Sequence, residues 1–279
     1  MLKITPQEYQ NYCKYIYDIC GINLAPNQTY LVETRLATLI KNLGCNSFTE
    51  LYNQSRGDRL KKIEQEIINA ITTNETYFFR DKAPFDLLQF KIIPDLIDKR
   101  SSRSGLPPTI KIWSAACSFG QEVYSIAITL KELLGRDLPK YRISIVGTDI
   151  SDEAISRSSY GLYNQFEVER GLPPEKLRLY FNQVDKGWRI KDELRAMVSF
   201  RKQNLFQSFT DLGRFDIVLC RNVAIYFTQP DKVKLYEKIA SAMAPDGYLL
   251  IGAQESLTGI TNMFEPKRYL RSIFYQLKG

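Results

Sequence analysis

One stretch of sequence, residues 110–130 (IKIWSAACSFGQEVYSIAITL), constrains the fold more than any other part of the chain. It begins with alternating residues typical of a strand, continues through small side chains and reaches Gly120, where the backbone can turn. From Gln121 onwards, apolar residues recur about every three or four positions, the period of a helix with one buried face. The stretch therefore predicts a strand, a tight loop and a helix in succession.

The loop between this strand and helix is a candidate ligand site, because free amides at a helix start often bind a polar ligand. It contains one glycine and no lysine, so it matches neither a dinucleotide fingerprint nor a phosphate-binding loop. Glu122 would repel a phosphate but favours a ligand that carries an ammonium group. S-adenosylmethionine is such a ligand; an ordinary turn without a ligand is the alternative.

A second strand, at residues 143–149, has the composition of a strand buried on both faces, and it ends in Asp149. A carboxylate at this position of an α/β fold commonly binds the ribose hydroxyls of a nucleoside. Asp149 could instead cap the following helix, but Ser151 is available for that role. We therefore expect Asp149 to contact the cofactor.

Strand and helix patterns alternate through the remainder of the chain. Further strands are predicted at residues 197–205, 215–222 and 248–252, with a closing pair around residues 268–277. This alternation predicts an α/β fold with a mostly parallel sheet, helices on both faces and an antiparallel edge. Residues 1–70 instead have the pattern of short helices, beginning with a capping box from Thr5 to Glu8, and predict an all-α module. Arg35, Lys41, Arg56 and Arg59 could form a basic surface on that module, or only a solvated face.

Composition excludes several function classes. The chain has five scattered cysteines and no histidine, so we expect no disulfide framework, no metal site and no histidine-dependent catalytic triad. No apolar run reaches the ~18 residues of a membrane span, and the first residues lack the pattern of a signal peptide. We therefore expect a soluble, cytoplasmic protein that does not insert into a membrane.

Several separate motifs occur in a consistent order: TTNETYFFRD at residues 72–81, WSAACSFGQEVYSIA at 113–127, the strand that ends in Asp149, NLF at 204–206 and CRNVAIYF at 220–227. With these motifs the chain resembles the CheR family, S-adenosylmethionine-dependent methyltransferases that esterify glutamate side chains of bacterial chemoreceptors. The resemblance covers nearly the whole chain. It implies a seven-stranded methyltransferase domain at residues 71–279, with an antiparallel β-ribbon inserted at about 162–200, after a helical substrate-recognition module at 1–70.

The resemblance also implies a set of site residues. The expected cofactor contacts are Asn74, Thr76, Arg80, Glu122, Asp149, Asn204, Leu205, Arg221 and Asn222. Among these, Asn204 and Leu205 are expected beside the adenine, and Arg221 and Asn222 near the reacting end. Tyr226 is expected close to the transferred methyl group, so Tyr226 and Arg221 are the candidate catalytic residues. The sequence GAQES at residues 252–256 departs from the family pattern, in which many members have histidine or serine between the glycine and the glutamate.

A glutamate substrate would explain why the chain needs no histidine. The side-chain pKa of glutamate is ordinarily ~4.3, so at neutral pH the carboxylate is already a nucleophile and no base is required. What remains is to position the reactants and exclude water, for which Arg221 and Tyr226 could each hold one carboxylate oxygen. S-adenosylhomocysteine would be the product. The expected partners are the cytoplasmic helices of methyl-accepting chemoreceptors, and we expect a monomer.

Two other functions remain open at this stage. A net charge of +7 would suit a nucleic-acid methyltransferase. However, methylation of base amino groups usually uses an Asn/Asp-Pro-Pro-Tyr turn where this chain has Arg-Asn-Val-Ala at residues 221–224, so we expect no nucleic-acid partner. A non-catalytic module that binds the cofactor or a signalling nucleotide is the second alternative.

The predicted insertion bears on how a receptor is bound. Between Lys176 and Lys202 there are eight basic residues and three acidic ones, which predicts a basic surface for a glutamate-rich partner. In the family the ribbon can also bind a peptide at the receptor C-terminus, and members that do so have a longer loop between the first two ribbon strands. Here only residues 185–187 separate the predicted strands at 180–184 and 188–191. This predicts methylation without a peptide tether.

Overall fold

The computed structural model describes residues 2–104 and 108–278. Within residues 2–71 there are four helices: α1 (Pro6–Cys20), α2 (Thr29–Asn42), α3 (Phe48–Gly57) and α4 (Lys62–Ile71). Helix α1 starts at the predicted capping box, in which the Thr5 side chain and the Glu8 carboxylate each accept a hydrogen bond from the other's backbone amide. These helices enclose a core of their own that includes Tyr12, Ile16, Val32, Leu36, Phe48, Leu51 and Ile67. The predicted N-terminal helical region is confirmed.

The rest of the described chain alternates between strands and helices. The strands are β1 (Thr109–Ala115), β2 (Arg142–Asp149), β3 (Leu162–Tyr163), β4 (Phe181–Val184), β5 (Gly187–Ile190), β6 (Val198–Lys202), β7 (Phe215–Cys220), β8 (Met243–Ile251), β9 (Phe264–Tyr269) and β10 (Ser272–Leu277). The helices are α5 (Ala83–Leu87), α6 (Ile93–Ser104), α7 (Gln121–Leu134), α8 (Asp152–Tyr160), α9 (Gln165–Glu169), α10 (Pro174–Tyr180), α11 (Asp192–Arg195) and α12 (Gln229–Ser241). A π-helical turn, Leu88–Ile92, joins α5 to α6. In this part, residues 105–107 lie outside the described residues.

Among the described residues, the main sheet has seven strands in the order β6-β2-β1-β7-β8-β10-β9. The first five strands of that order are parallel, and β10 runs antiparallel to both β8 and β9. The chain fills the sheet outward from β1 to β6 and then resumes on the other side of β1 with β7. Strand order therefore reverses between β1 and β7, the position where open α/β sheets bind ligands.

Both faces of this sheet are covered. Successive residues of β1 and β7 point to opposite sides, so Ile112 and Ile217 pack in one core, whereas Trp113 and Val218 pack in the other. All four side chains are fully buried. The predicted fold, a mostly parallel sheet between helices with an antiparallel edge, is confirmed.

The insertion is a small antiparallel sheet in the order β3-β5-β4. Its first predicted strand starts one residue too early, because Tyr180 ends α10 and β4 begins at Phe181. Val184 pairs with Gly187 across a tight turn. A Cβ at Gly187 would lie 2.2 Å from the Tyr163 carbonyl oxygen, so the close approach of β3 requires glycine here.

Throughout the described ranges, no helix combines the length and apolar character needed to cross a membrane.

Candidate active site

A cleft lies at the carboxyl ends of β1, β2 and β7, beneath the end of helix α1. It is lined by Cys20, Ile22, Thr72, Thr73, Asn74, Glu75, Thr76, Arg80, Ala116, Cys117, Ser118, Glu122, Asp149, Ile150, Gln203, Asn204, Leu205, Arg221, Asn222, Val223, Tyr226 and Phe227. Every site residue predicted from the sequence is in this set. The fold thus brings together side chains from distant parts of the sequence.

Glu122 is positioned by the turn that precedes α7. Gly120 has a φ of 88° there, and a Cβ would lie 2.7 Å from the Ser158 Cβ, so the turn needs glycine for both its conformation and its space. The Glu122 carboxylate accepts a hydrogen bond from the Ser114 hydroxyl at 2.7 Å and another from the Arg221 guanidinium at 2.6 Å. Since each carboxylate oxygen can accept more than one bond, Glu122 retains capacity for a ligand.

Asp149 ends β2 and is buried. Its two carboxylate oxygens accept hydrogen bonds from the backbone amides of Ser118 at 2.9 Å and Ser151 at 3.0 Å. Burial raises the pKa of Asp149, and the backbone hydrogen bonds partly offset that rise. The side chain of Ser151 caps α8 by accepting from the Ala154 amide at 3.1 Å. The capping role is therefore filled by Ser151, and Asp149 has acceptor sites left for hydroxyl donors.

Arg221 is enclosed by protein groups. Its side chain is only 2% exposed, and its two terminal nitrogens donate to Glu122, to Asp81 at 2.9 Å and to the Arg80 carbonyl at 2.9 Å. Only its Nε, which is buried, lacks a hydrogen-bond partner among the described residues. This placement favours Arg221 as a residue that orients Glu122 over the expected direct contact with a substrate carboxylate.

Asn204 also has a role that the sequence did not predict. Its amide nitrogen donates to the Ile19 carbonyl at 3.1 Å, and its amide oxygen accepts from the Phe206 backbone at 2.9 Å. The side chain therefore joins the end of α1 to the loop after β6. Leu205, which is buried, provides an apolar wall beside it.

Glu255 supports the last motif and was missed as a site residue. Its carboxylate accepts hydrogen bonds from the backbone amide of Asn222 at 2.8 Å and from the backbone amide of Gly252 at 2.7 Å. Asn222 has a φ of 57°, a left-handed conformation that asparagine adopts more readily than most residues, and Glu255 holds this backbone at the cleft wall. A Cβ at position 252 would lie 2.5 Å from the carboxylate. The sequence feature that could have identified Glu255 is in GAQES, where a glycine and a glutamate follow a buried strand.

Tyr226 lies in a 3-10 turn, Ala224–Tyr226, and is half-buried. Its backbone carbonyl accepts a hydrogen bond from the Asn23 amide at 2.9 Å, which fixes the turn against the helical region. Within the described part of the chain, the Tyr226 hydroxyl has no hydrogen-bond partner and is therefore available to a ligand.

Among the described residues there is no cluster of three or more histidine, cysteine, aspartate or glutamate side chains suitable for a metal ion.

The sheet order, with its antiparallel β10, and the two carboxylates Glu122 and Asp149 in a cleft at the ends of β1 and β2 are what we expect of an S-adenosylmethionine-dependent methyltransferase. The family profile described as "CheR methyltransferase, SAM binding domain" matches residues 74–271, and "CheR methyltransferase, all-alpha domain" matches residues 7–72. The chain belongs to the CheR methyltransferase family.

Named relatives agree with this assignment. The chain is 39% identical over 281 residues to chemotaxis protein methyltransferase 1 of Vibrio cholerae serotype O1, with 99% of each chain covered. It is 40% identical to the chemotaxis protein methyltransferase of Vibrio parahaemolyticus, again with 99% of each covered. The corresponding protein of Borreliella burgdorferi is 37% identical, over 94% of this chain and 92% of the relative. The chain is thus an S-adenosylmethionine-dependent methyltransferase of chemotaxis.

The residues of the cleft fit that cofactor. S-adenosylmethionine has an ammonium group, ribose hydroxyls and a flat adenine, which call for carboxylate acceptors and an apolar wall. The cleft offers the carboxylates of Glu122 and Asp149, and the side chains of Ile150, Leu205 and Phe227. In addition, the buried Nε of Arg221 faces no protein acceptor among the described residues.

Proposed function

We propose that this protein transfers methyl groups from S-adenosylmethionine to glutamate carboxylates of chemoreceptors. The observation that carries the proposal is the set of ionisable groups at the cleft. Glu122 and Asp149 are both hydrogen-bonded to protein donors, and the chain contains no histidine. In this proposal both carboxylates serve the cofactor and no histidine is available as a base, so a nucleophile that arrives ionised fits best, and a glutamate side chain is ionised at neutral pH.

The proposed roles of the cleft residues follow from their free hydrogen-bonding groups. Glu122 binds the ammonium group of the cofactor, Asp149 binds the ribose hydroxyls, and Asn74, Thr76, Asn204, Leu205 and Asn222 complete the pocket. When bound, S-adenosylmethionine supplies a methyl group on a sulfonium, which a carboxylate oxygen takes to give a neutral ester and S-adenosylhomocysteine without any proton transfer. Tyr226 orients that oxygen through its hydroxyl, and Arg221 positions Glu122.

Arg80 is a better candidate than Arg221 for the residue that attracts the substrate carboxylate. It lines the cleft, and one of its terminal nitrogens donates to the Glu75 carbonyl at 2.9 Å. Its remaining donors have no hydrogen-bond partner among the described residues, in contrast to the terminal donors of Arg221.

In this proposal the helical module recognises the methylation helices of the receptor. The protein acts in the cytoplasm as a monomer, and no nucleic acid takes part.

The test is methyl transfer from labelled S-adenosylmethionine to a receptor cytoplasmic fragment. We expect label on the fragment that mild alkali releases as methanol, because carboxyl esters are base-labile and methylated amines are not. A matched fragment with glutamine at the methylation positions should accept no label. Alkali-stable label, or label on added RNA, would contradict the proposal; cofactor binding without any transfer would instead indicate a non-catalytic module.

A further inference from the structure

We propose that Arg35 of helix α2 is a positioning residue for the cofactor cleft. It fixes the start of the connecting segment, residues 72–82, which joins α4 to α5 and supplies Thr72, Thr73, Asn74, Glu75, Thr76 and Arg80 to the cleft. The inference depends on the binding of S-adenosylmethionine and not on the identity of the methyl acceptor.

The contacts of Arg35 lie at the end of α4. One terminal nitrogen of its guanidinium donates to the carbonyls of Ile71 and Thr72, and the other donates to the Thr73 hydroxyl at 2.9 Å. The last carbonyls of a helix have no partner within the helix and carry partial negative charge, so a cation is favourable there. A single side chain of the helical region therefore orders the entry to the cleft.

The connecting segment depends on such side-chain donors. Residues 73–77 form neither helix nor strand. Side chains from other parts of the chain donate hydrogen bonds to backbone carbonyls of the connecting segment. The Ser118 hydroxyl donates to the Asn74 carbonyl at 3.2 Å, and the Arg221 guanidinium donates to the Arg80 carbonyl at 2.9 Å. Without Arg35, the first cleft residues would lose their anchor, and ordering them would cost free energy at the moment of cofactor binding.

This role differs from a place in a basic receptor-binding surface, the alternative that the sequence allowed for Arg35. A surface charge acts on the receptor and leaves cofactor affinity unchanged. A positioning residue acts on the cofactor even when no receptor is present. Lysine cannot replace the planar fork of arginine, which reaches two carbonyls and a hydroxyl at once, so Arg35→Lys keeps the charge and loses the contacts.

The experiment is calorimetric titration with S-adenosylhomocysteine, without receptor, of the full chain and three variants. Arg35→Ala and Arg35→Lys should each bind about tenfold more weakly, the effect of lost charge-assisted hydrogen bonds. Lys41→Ala, an exposed change on the same helix, should bind as the unchanged protein does. In steady-state assays, both Arg35 variants should raise the KM for S-adenosylmethionine while kcat at saturating cofactor stays close to normal.

Unchanged affinity for S-adenosylhomocysteine in folded Arg35→Lys would overturn the proposal, whatever the effect on receptor methylation. That variant also decides the matter if Arg35→Ala does not fold, as judged by circular dichroism. The proposed substrate can fail independently, because titration with S-adenosylhomocysteine involves no methyl acceptor.

Discussion

The Arg221 guanidinium lies 2.6 Å from the Glu122 carboxylate, and the two side chains are 2% and 14% exposed. The same guanidinium contacts Asp81 at 2.9 Å. One cation thus pairs with two carboxylates at the point where strands β1 and β7 end. The arrangement fixes the Glu122 carboxylate before any ligand enters, which reduces the cost of ordering it on binding.

Removal of Arg221 should therefore destabilise the fold. We expect Arg221→Met to lower the free energy of unfolding by about 3 kcal/mol, because it leaves Glu122 buried without its charge partner. Asp81→Asn is the matched control: it removes only the more exposed of the two carboxylates and should cost less. Urea unfolding measures both. A stability of Arg221→Met close to that of the unchanged protein would show that the pair does not hold the site together.

Asp149 should make cofactor binding depend on pH. Ribose hydroxyls donate to the ionised carboxylate, so affinity for S-adenosylhomocysteine should be highest above the raised pKa of Asp149 and fall as pH decreases through it. In the free protein, the raised pKa means that protonated Asp149 favours the folded state. This contribution to the free energy of unfolding is complete below the ordinary pKa of 3.8 and is lost as pH rises through the raised pKa. Calorimetry across pH tests the affinity.

The matching variants are Asp149→Asn, which should remove this pH dependence, and Asp149→Ala. The latter should weaken binding by roughly 1–3 kcal/mol, since polar partners are left unpaired. Full affinity in a folded Asp149→Ala protein would show that the carboxylate serves only the backbone amides of Ser118 and Ser151.

Tyr226 should affect turnover more than cofactor affinity. Its hydroxyl has no recorded protein partner within the described ranges, so Tyr226→Phe removes a group available to the substrate and leaves the ring in place. We expect kcat to fall while the affinity for S-adenosylhomocysteine, measured by calorimetry, changes little. Equal losses in both quantities would assign Tyr226 to the cofactor pocket.

The positions of Glu122 and Asp149 could be predicted because each depends on a local pattern, a strand followed by a turn or a helix. The partner of Asn204 could not, since Ile19 lies 185 positions away along the chain. The partners of Arg35 could not be predicted for the same reason: they lie at residues 71–73, in a different helix and the segment after it. Local periodicity predicts the elements, whereas contacts between distant segments depend on how those elements pack.

The predicted basic surface of the insertion is also smaller than its charge count suggested. Several of its cations pair with carboxylates, and the partners of two of them lie outside the counted segment: Lys176 contacts Glu132, and Lys202 contacts Asp152. Arg195 pairs with Asp192 inside it. Among the described residues, Arg178 and Lys186 are exposed and Lys191 is half-buried, and none of these three cations has a hydrogen-bond or ion-pair partner. A sum over sequence does not show which charges are already neutralised by the fold.

The last prediction concerns how the receptor is held. Strand β4 is an edge of the inserted sheet, so an extended peptide could pair with it, but backbone pairing alone gives little specificity without side-chain pockets. The turn that would form such a pocket is short, since Val184 already pairs with Gly187. We therefore expect equal initial rates on matched receptors that retain or lack their C-terminal segment. A drop of about tenfold on truncation, equivalent to a loss of roughly 1.4 kcal/mol of docking energy, would show that a tether is used.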